Sequence, residues 1–304
     1  MLGDEVHCDD KNEYEDVYLL LRSLYGPRQA PRVWYEHLES ALHALDLRPI
    51  KHAESSFTGT IDGAPITVIV YVDDMWVITS CDRALAKFKI GLQSPFDMQD
   101  FQAVKYFLNV AIERRRRSYV LSQMGYVVKV FNAFNMQTSR PVAEPTELSH
   151  YAVLTERRQR TDKETATMAN VPYRRLAGIL LYLSTNTRPY IVFATSILSR
   201  HMSAPLPLHW NAGKRVPRYL CGTSDVELNL TAANLRLSAY ADADWEGGSD
   251  RLSVSGNVVL LGCAPVVCRS VKQPCTALST TEAEYVSLST VARDVRLLRS
   301  LCSE

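Results

Sequence analysis

The sequence has no apolar run of the roughly 18 residues that a membrane-spanning helix needs. Its longest, Ala64–Val72 and Leu176–Leu183, suit a buried strand and a buried helix face. The N-terminus, MLGDEVHCDD, has no apolar segment and carries acids, which excludes a secretory signal or transit peptide there. No C-x-x-C pair occurs among the 7 cysteines, and their spacing is too irregular for a zinc knuckle. Reduced thiols in a cytoplasmic or nuclear protein are therefore expected. The 7 histidines form no H-x-x-x-H or H-E-x-x-H pattern, so a zinc hydrolase has no support. No internal repeat or low-complexity tract is present.

Charge of one sign is scarce overall: 34 Lys plus Arg stand against 33 Asp plus Glu in 304 residues. The distribution is uneven. Residues 1–16 hold seven acids and one base, so the remainder carries about +7 and leans toward a polyanionic partner. With 46% hydrophobic and 22% charged residues the chain has the composition of a globular protein, long enough for about two domains.

Periodicity places the elements. Trp34, Leu38, Leu42 and Leu45 form one apolar stripe, which predicts a helix over Ala30–Leu47 with Pro31 in its first turn. Trp34 and Leu38 are expected in the core. ITVIVYV (66–72) and MWVITS (75–80) read as strands joined at Asp73-Asp74, a hairpin without the usual turn glycine. A helix is expected over Asp82–Leu92. Lys105–Ile112 and Ser118–Ser122 should form a second hairpin around the basic tip Arg114–Arg117. The polar stretch 137–170, with Pro141 and Pro145, reads as a linker. Helices follow at Tyr173–Ser184, Ile191–His201 and Leu208–Leu220, the last kinked or ended by Pro217. Three strand-like runs fill 235–272, Gly256 fits a place where packing excludes a side chain, and a last helix covers Thr280–Leu301.

Two adjacent acids at a hairpin tip repel one another, and divalent cations can neutralise them. In polymerases such carboxylates hold two Mg²⁺ ions. On residues alone, Asp-Asp between strands is more simply read as a solvated turn, and Arg114–Arg117 as a solvated tip.

The surrounding motifs are more specific. SLYGPRQAPRVWYEHL (23–38), YVDD (71–74), FDMQDFQAVKYFLNVAI (96–112) and SYVLSQMGYVVKVFNAFNM (118–136) resemble, in order and spacing, the reverse transcriptases of copia-type retrotransposons. Residues 173–223 resemble the helical region that precedes the ribonuclease H of these elements. AYADADWEGG (239–248) and ALSTTEAEY (277–285) resemble the first two motifs of that nuclease.

The resemblance implies an α+β fold: a reverse transcriptase palm over 1–136, a linker over 137–170, a helical connection over 171–223 and the N-terminal half of a ribonuclease H-like domain over 235–304. It implies Asp73 as metal ligand with Asp74 in support, Tyr25 and Gly26 beside the incoming nucleotide, and Arg114, Arg115, Arg116 and Arg117 against the template-primer backbone. In the nuclease it implies Asp242 and Glu284 as catalytic acids, in preference to Asp244 and Glu282, whose plainer roles are a loop cap and a helix-start acid. Mg²⁺ is the implied cofactor. RNA template, DNA primer, RNA–DNA hybrid and deoxynucleoside triphosphates are the implied partners.

Several acids of the family pattern have no counterpart, so a copy truncated at both ends is expected, inactive as an isolated chain. A non-catalytic nucleic-acid-binding remnant and a pseudogene product are the alternatives. Pro27 and Asn109 replace a leucine and a glycine of the family pattern, and Pro217 interrupts a helix.

Overall fold

A computed structural model of the chain describes residues 26–156, 158–231, 235–245 and 251–303. The chain divides into two compact units, one reaching Gln102 and the other running from Ala103 to Ser303. The hairpin of 106–122, expected within a domain over 1–136, groups with the second unit.

The first unit begins with helix α1 (Ala30–Ala44), with Pro31 in its first turn. Leu38 and Leu42 are its buried stripe. The helix ends sooner than its periodicity suggests because Asp46 takes a left-handed φ of 58° and turns the chain into β1 (Leu47–Ile50). The strands β2 (Ala53–Ile61), β3 (Ala64–Tyr71) and β4 (Asp74–Thr79) complete an antiparallel sheet in the order β1-β2-β3-β4. Asp62 and Gly63, both at positive φ, close the β2–β3 hairpin as a type I′ Asp-Gly turn. Ile66, Val68 and Val70 alternate onto one face and meet Leu38 and Leu42 of α1 and Phe88 and Leu92 of α2 (Asp82–Gln93). Each such side chain contributes about 1.5–3 kcal/mol relative to exposure, so the helices are held by this face.

The second unit opens with a break that periodicity does not show. Lys105–Ile112 is not one strand: Leu108 and Asn109, at φ 50° and 59°, turn between β5 (Tyr106–Phe107) and β6 (Val110–Arg115). An asparagine tolerates this conformation better than most residues, which explains how it stands in for a glycine. The Tyr182 hydroxyl donates to the Leu108 carbonyl and ties that turn to a helix. β7 (Ser118–Ser122) pairs with β6.

Residues 137–170 are not a structureless linker. Between α3 (Met124–Ala133) and the long helices lie α4 (Tyr151–Thr155) and α5 (Asp162–Met168). α5 is capped reciprocally by Thr161 and Glu164, and Met168 enters the core. α6 (Tyr173–Asn186), α7 (Val192–Ser199) and α8 (Pro207–Gly222) build that core around Leu176, Leu180, Ile191, Leu198, Val216 and Leu220.

Pro217 neither ends α8 nor stands at its edge. The ring is buried, and the helix runs five residues further. The carbonyl that Pro217 leaves without a helical donor belongs to Gly213, so the cost is confined to one lost bond and offset by apolar burial. Beyond α8, the fully buried Arg188 donates to the carbonyls of Thr223 and Ser224, a cation placed where the helix presents unpaired carbonyls.

β8 (Leu228–Thr231) then pairs with β7, giving the sheet β5-β6-β7-β8. β9 (Leu237–Asp244), β10 (Val254–Leu261) and β11 (Ala264–Lys272) form an antiparallel meander. α9 (Thr280–Ser303) lies on one face of it. Mixed α and β elements with antiparallel sheets agree with the expected α+β class and with a reverse transcriptase-like domain. Among the described residues, no helix is long and apolar enough to cross a membrane.

Candidate functional site

The β3–β4 hairpin presents Tyr71, Val72, Asp73 and Asp74 at its tip, and all four are exposed. Register explains the display. Tyr71 pairs with Asp74 and closes a two-residue turn, while the buried Val70 opposite Met75 starts the core face one residue back. Tyr71 and Asp74 therefore lie on the sheet face away from α1 and α2.

The turn is strained. Val72 has φ 55° and Asp73 does not take positive φ, the pattern of a II′ turn, whose first position ordinarily holds glycine. Such a backbone conformation costs a β-branched residue about 1–3 kcal/mol. Something must hold it. The Trp34 indole Nε1–H donates to the Val72 carbonyl at 2.8 Å. Its ring meets Phe96 edge-to-face at 5.3 Å. Leu38 is core as expected, at 1% exposure, but Trp34 is 37% exposed and serves the tip instead. Stripe position alone marks Trp34 as core, and no spacing rule connects residue 34 to residue 72.

Neither Asp73 nor Asp74 takes part in an ion pair or side-chain hydrogen bond among the described residues, so both carboxylates are available to a cation. Hard oxygen donors on an exposed turn fit Mg²⁺, which binds through one or two carboxylates and retains water. Among the described residues, no three acid, histidine or cysteine side chains gather into a group able to hold a metal ion. Gly26 has φ 123° and open space where a Cβ would stand, so backbone conformation requires its glycine. Tyr25 lies outside the described residues.

The basic run forms the tip of the β6–β7 hairpin, as expected. Arg114, Arg115, Arg116 and Arg117 are all exposed. Arg115 is partly neutralised: it pairs with Glu113 at 2.9 Å and Glu227 at 3.6 Å, and the Glu113 bond holds its guanidinium further above its ordinary pKa. Arg114, Arg116 and Arg117 make no such pair among the described residues.

In the meander, Asp242 pairs with Gly256, and Asp244 with Val254. Ser255 and Asn257, the alternate residues, bond toward α9, so Asp242 and Asp244 occupy the opposite face. There they border a cavity of about 480 Å³ with Tyr190, Phe193, Gly256 and Arg269. Gly256 is not packed tightly: a Cβ there would meet nothing within 4 Å, so the glycine leaves floor space instead.

Glu284 is exposed on α9. Glu282 is engaged differently. Its backbone N–H donates to Ser279 Oγ at 3.1 Å, and its carboxylate accepts from Leu278 N–H at 2.7 Å. That is a helix start, as the plainer reading of Glu282 has it, and it leaves Glu284 as the uncommitted acid. One turn further, Ser287 reaches the Asp242 backbone. The helix thus meets the strand at Asp242, although the two acid side chains leave from different faces.

His209 is a buried packing residue with a capping role besides. Nδ1 accepts from the Leu206 N–H at 2.9 Å and Nε2 lies 3.2 Å from the Leu154 carbonyl. Burial, and then the neighbouring His201, push its pKa down to about 4.

Residues 4–148 match the family described as reverse transcriptase (RNA-dependent DNA polymerase). The whole chain is 35% identical to the retrovirus-related Pol polyprotein from transposon RE2 of Arabidopsis thaliana, and 34% identical to that from transposon TNT 1-94 of Nicotiana tabacum. It spans 21% and 24% of those polyproteins. A Saccharomyces cerevisiae protein named for the transposon Ty5-1 is 30% identical across 92% of this chain and 90% of its own length. No solved structure matches the chain.

Proposed function

The chain belongs to the reverse transcriptase (RNA-dependent DNA polymerase) family of retrotransposon Pol polyproteins, and on that premise we propose that it carries the acid-bearing hairpin of a template-directed nucleotidyl-transfer site, followed by the first two motifs of a ribonuclease H. The observation that carries the polymerase half is the exposed, unpaired Asp73-Asp74 couple on a strained turn. Backbone strain of this kind persists where surrounding structure enforces it, and it concentrates at functional sites.

In this reading Asp73 is the metal ligand and Asp74 supports it. Mg²⁺, when bound, would activate the primer hydroxyl and neutralise the phosphates of the incoming nucleotide. Gly26, with Tyr25, would border that deoxynucleoside triphosphate, and the Arg114–Arg117 tip would screen phosphates of the RNA template and DNA primer without reading sequence. Asp242 and Glu284 would contribute to cleavage of the RNA strand in a hybrid. Residues 1–136 as a palm, 171–223 as a connection and 235–304 as part of the nuclease belong to the same proposal. Two carboxylates from one hairpin hold two cations poorly, so the chain by itself is proposed to be inactive, with further acids supplied by more of the polyprotein.

The test is extension of a primed RNA template in Mg²⁺ with the four deoxynucleoside triphosphates. No extension by the 304 residues alone is expected. Extension that Asp73→Asn abolishes would overturn the inactivity while supporting the site. Extension that survives Asp73→Asn would overturn the site. A second reading, a non-catalytic nucleic-acid-binding remnant, is favoured by one observation: Arg114, Arg116 and Arg117 stand exposed together on an ordered hairpin.

A further inference from the structure

The Val72 carbonyl belongs to the central peptide of the YVDD turn, the peptide that also sets the backbone of Asp73. Primed two-residue turns come in two forms that differ by a flip of this peptide: type I′ places positive φ at both central residues, type II′ at the first alone. The chain takes the second form, with Val72 at φ 55°. Valine is disfavoured in both forms and most in the second, whose first position only glycine adopts readily, so the hairpin's own sequence does not select the form it takes. The orientation of Asp73 therefore needs an outside constraint.

One reaches the turn from α1, 38 residues earlier. The Trp34 Nε1–H meets the Val72 carbonyl at 2.8 Å, and Phe96 and His37 flank the anchor, with the Phe96 ring 5.3 Å from Trp34 and 4.9 Å from His37. A flipped peptide would point its carbonyl away from the indole and lose this bond. We propose that Trp34 is a positioning residue: its indole N–H selects the peptide orientation in which Asp73 and Asp74 are offered together to a divalent cation. The proposal rests on the reading of this hairpin as a metal-binding polymerase element.

The test uses the full chain and Mn²⁺ as probe, measured by the free-ion paramagnetic resonance signal. Asp73→Asn is expected to remove the tightest Mn²⁺ binding. Trp34→Phe keeps the ring and deletes the donor, and is expected to weaken that binding about fivefold, the effect of one hydrogen bond. Adding Val72→Gly in the Trp34→Phe background is expected to restore affinity to within about twofold, because glycine adopts this turn without strain. A merely structural tryptophan would not be rescued by a change at the turn.

Mn²⁺ binding lost in Asp73→Asn but unchanged in Trp34→Phe overturns the inference and leaves the site standing. Binding unchanged in Asp73→Asn overturns the reading of the hairpin itself. Failure of Val72→Gly to rescue also overturns the inference. Should Trp34→Phe not fold, exchange of the Trp34 indole proton in the wild-type chain decides: slowing on addition of Mg²⁺ supports the coupling, and no change overturns it.

Discussion

The Ser287 hydroxyl donates to the Asp242 backbone carbonyl and shares that proton with Asn257 Oδ1, both at 2.8 Å. A single buried side chain thus fastens α9 to β9 and β10 at once, at the strand position of a candidate nuclease acid. Gln273 repeats the device one layer away, donating to Ser255 Oγ and the Ala283 carbonyl. The helix–sheet seam thus sets polar contacts between the apolar Ala283 and Val291, and at those points its stability depends on every partner being present.

Ser287→Ala should therefore destabilise the second unit by about 1–3 kcal/mol, since it strands the buried Asn257 side chain without its partner. Chemical denaturation of wild type and variant checks this. A change well below that range, under about 0.3 kcal/mol, would mean that solvent reaches the seam.

Gly59 sits where β2 passes the end of α1. A Cβ added there would come within 2.4 Å of the Asp46 carbonyl and 2.9 Å of Leu47 Cδ2. Backbone cannot yield as a flexible side chain can. Gly59→Ala is expected to cost about 1–3 kcal/mol, as overpacking does, with loss of protection in the β1–β2 amides by hydrogen exchange.

His209 makes the second unit sensitive to mild acid. Its pKa falls from 6.5 to about 4 through burial first and the adjacent His201 second, with Arg158 and Arg160 acting in the same direction and the Leu154 carbonyl against it. The folded state therefore binds fewer protons than the unfolded state between these values. Stability is full above about pH 6.5 and declines as pH falls toward 4, by roughly 3 kcal/mol. Unfolding followed across that window should show a slope that His209→Gln flattens, and a His209 imidazole resonance, assigned by its loss in that variant, titrating near 6.5 in the folded chain would contradict it.

Changing Arg114, Arg116 and Arg117 to Ala should weaken binding to a primed template and lower the dependence of log affinity on log salt by about one to three units, one for each phosphate that is no longer neutralised. Arg115→Ala should matter less, because Glu113 and Glu227 already balance its charge. Affinity indifferent to ionic strength would remove this tip from any nucleic-acid surface.

The features legible along the chain are those that repeat over a short span. The 3.6-residue stripe of α1, the period-two run of β3 and β4 and the punctuated strands of β9 to β11 can be read directly, because each pattern is complete within about a dozen residues. The motif order that identifies the family is readable for the same reason. Other features exist only once the chain has packed. The assembled core shows that α8 tolerates Pro217, that Met168 draws residues 162–168 out of a polar stretch into a helix, and that β8 joins β7, pairing Leu228 with Leu121. Folding alone brings the Trp34 indole to the Val72 carbonyl, and the Ser287 hydroxyl to Asp242. Hydrogen bonds between residues so far apart along the chain leave no periodic trace, since their donors and acceptors meet only after hydrophobic burial has positioned the elements that carry them.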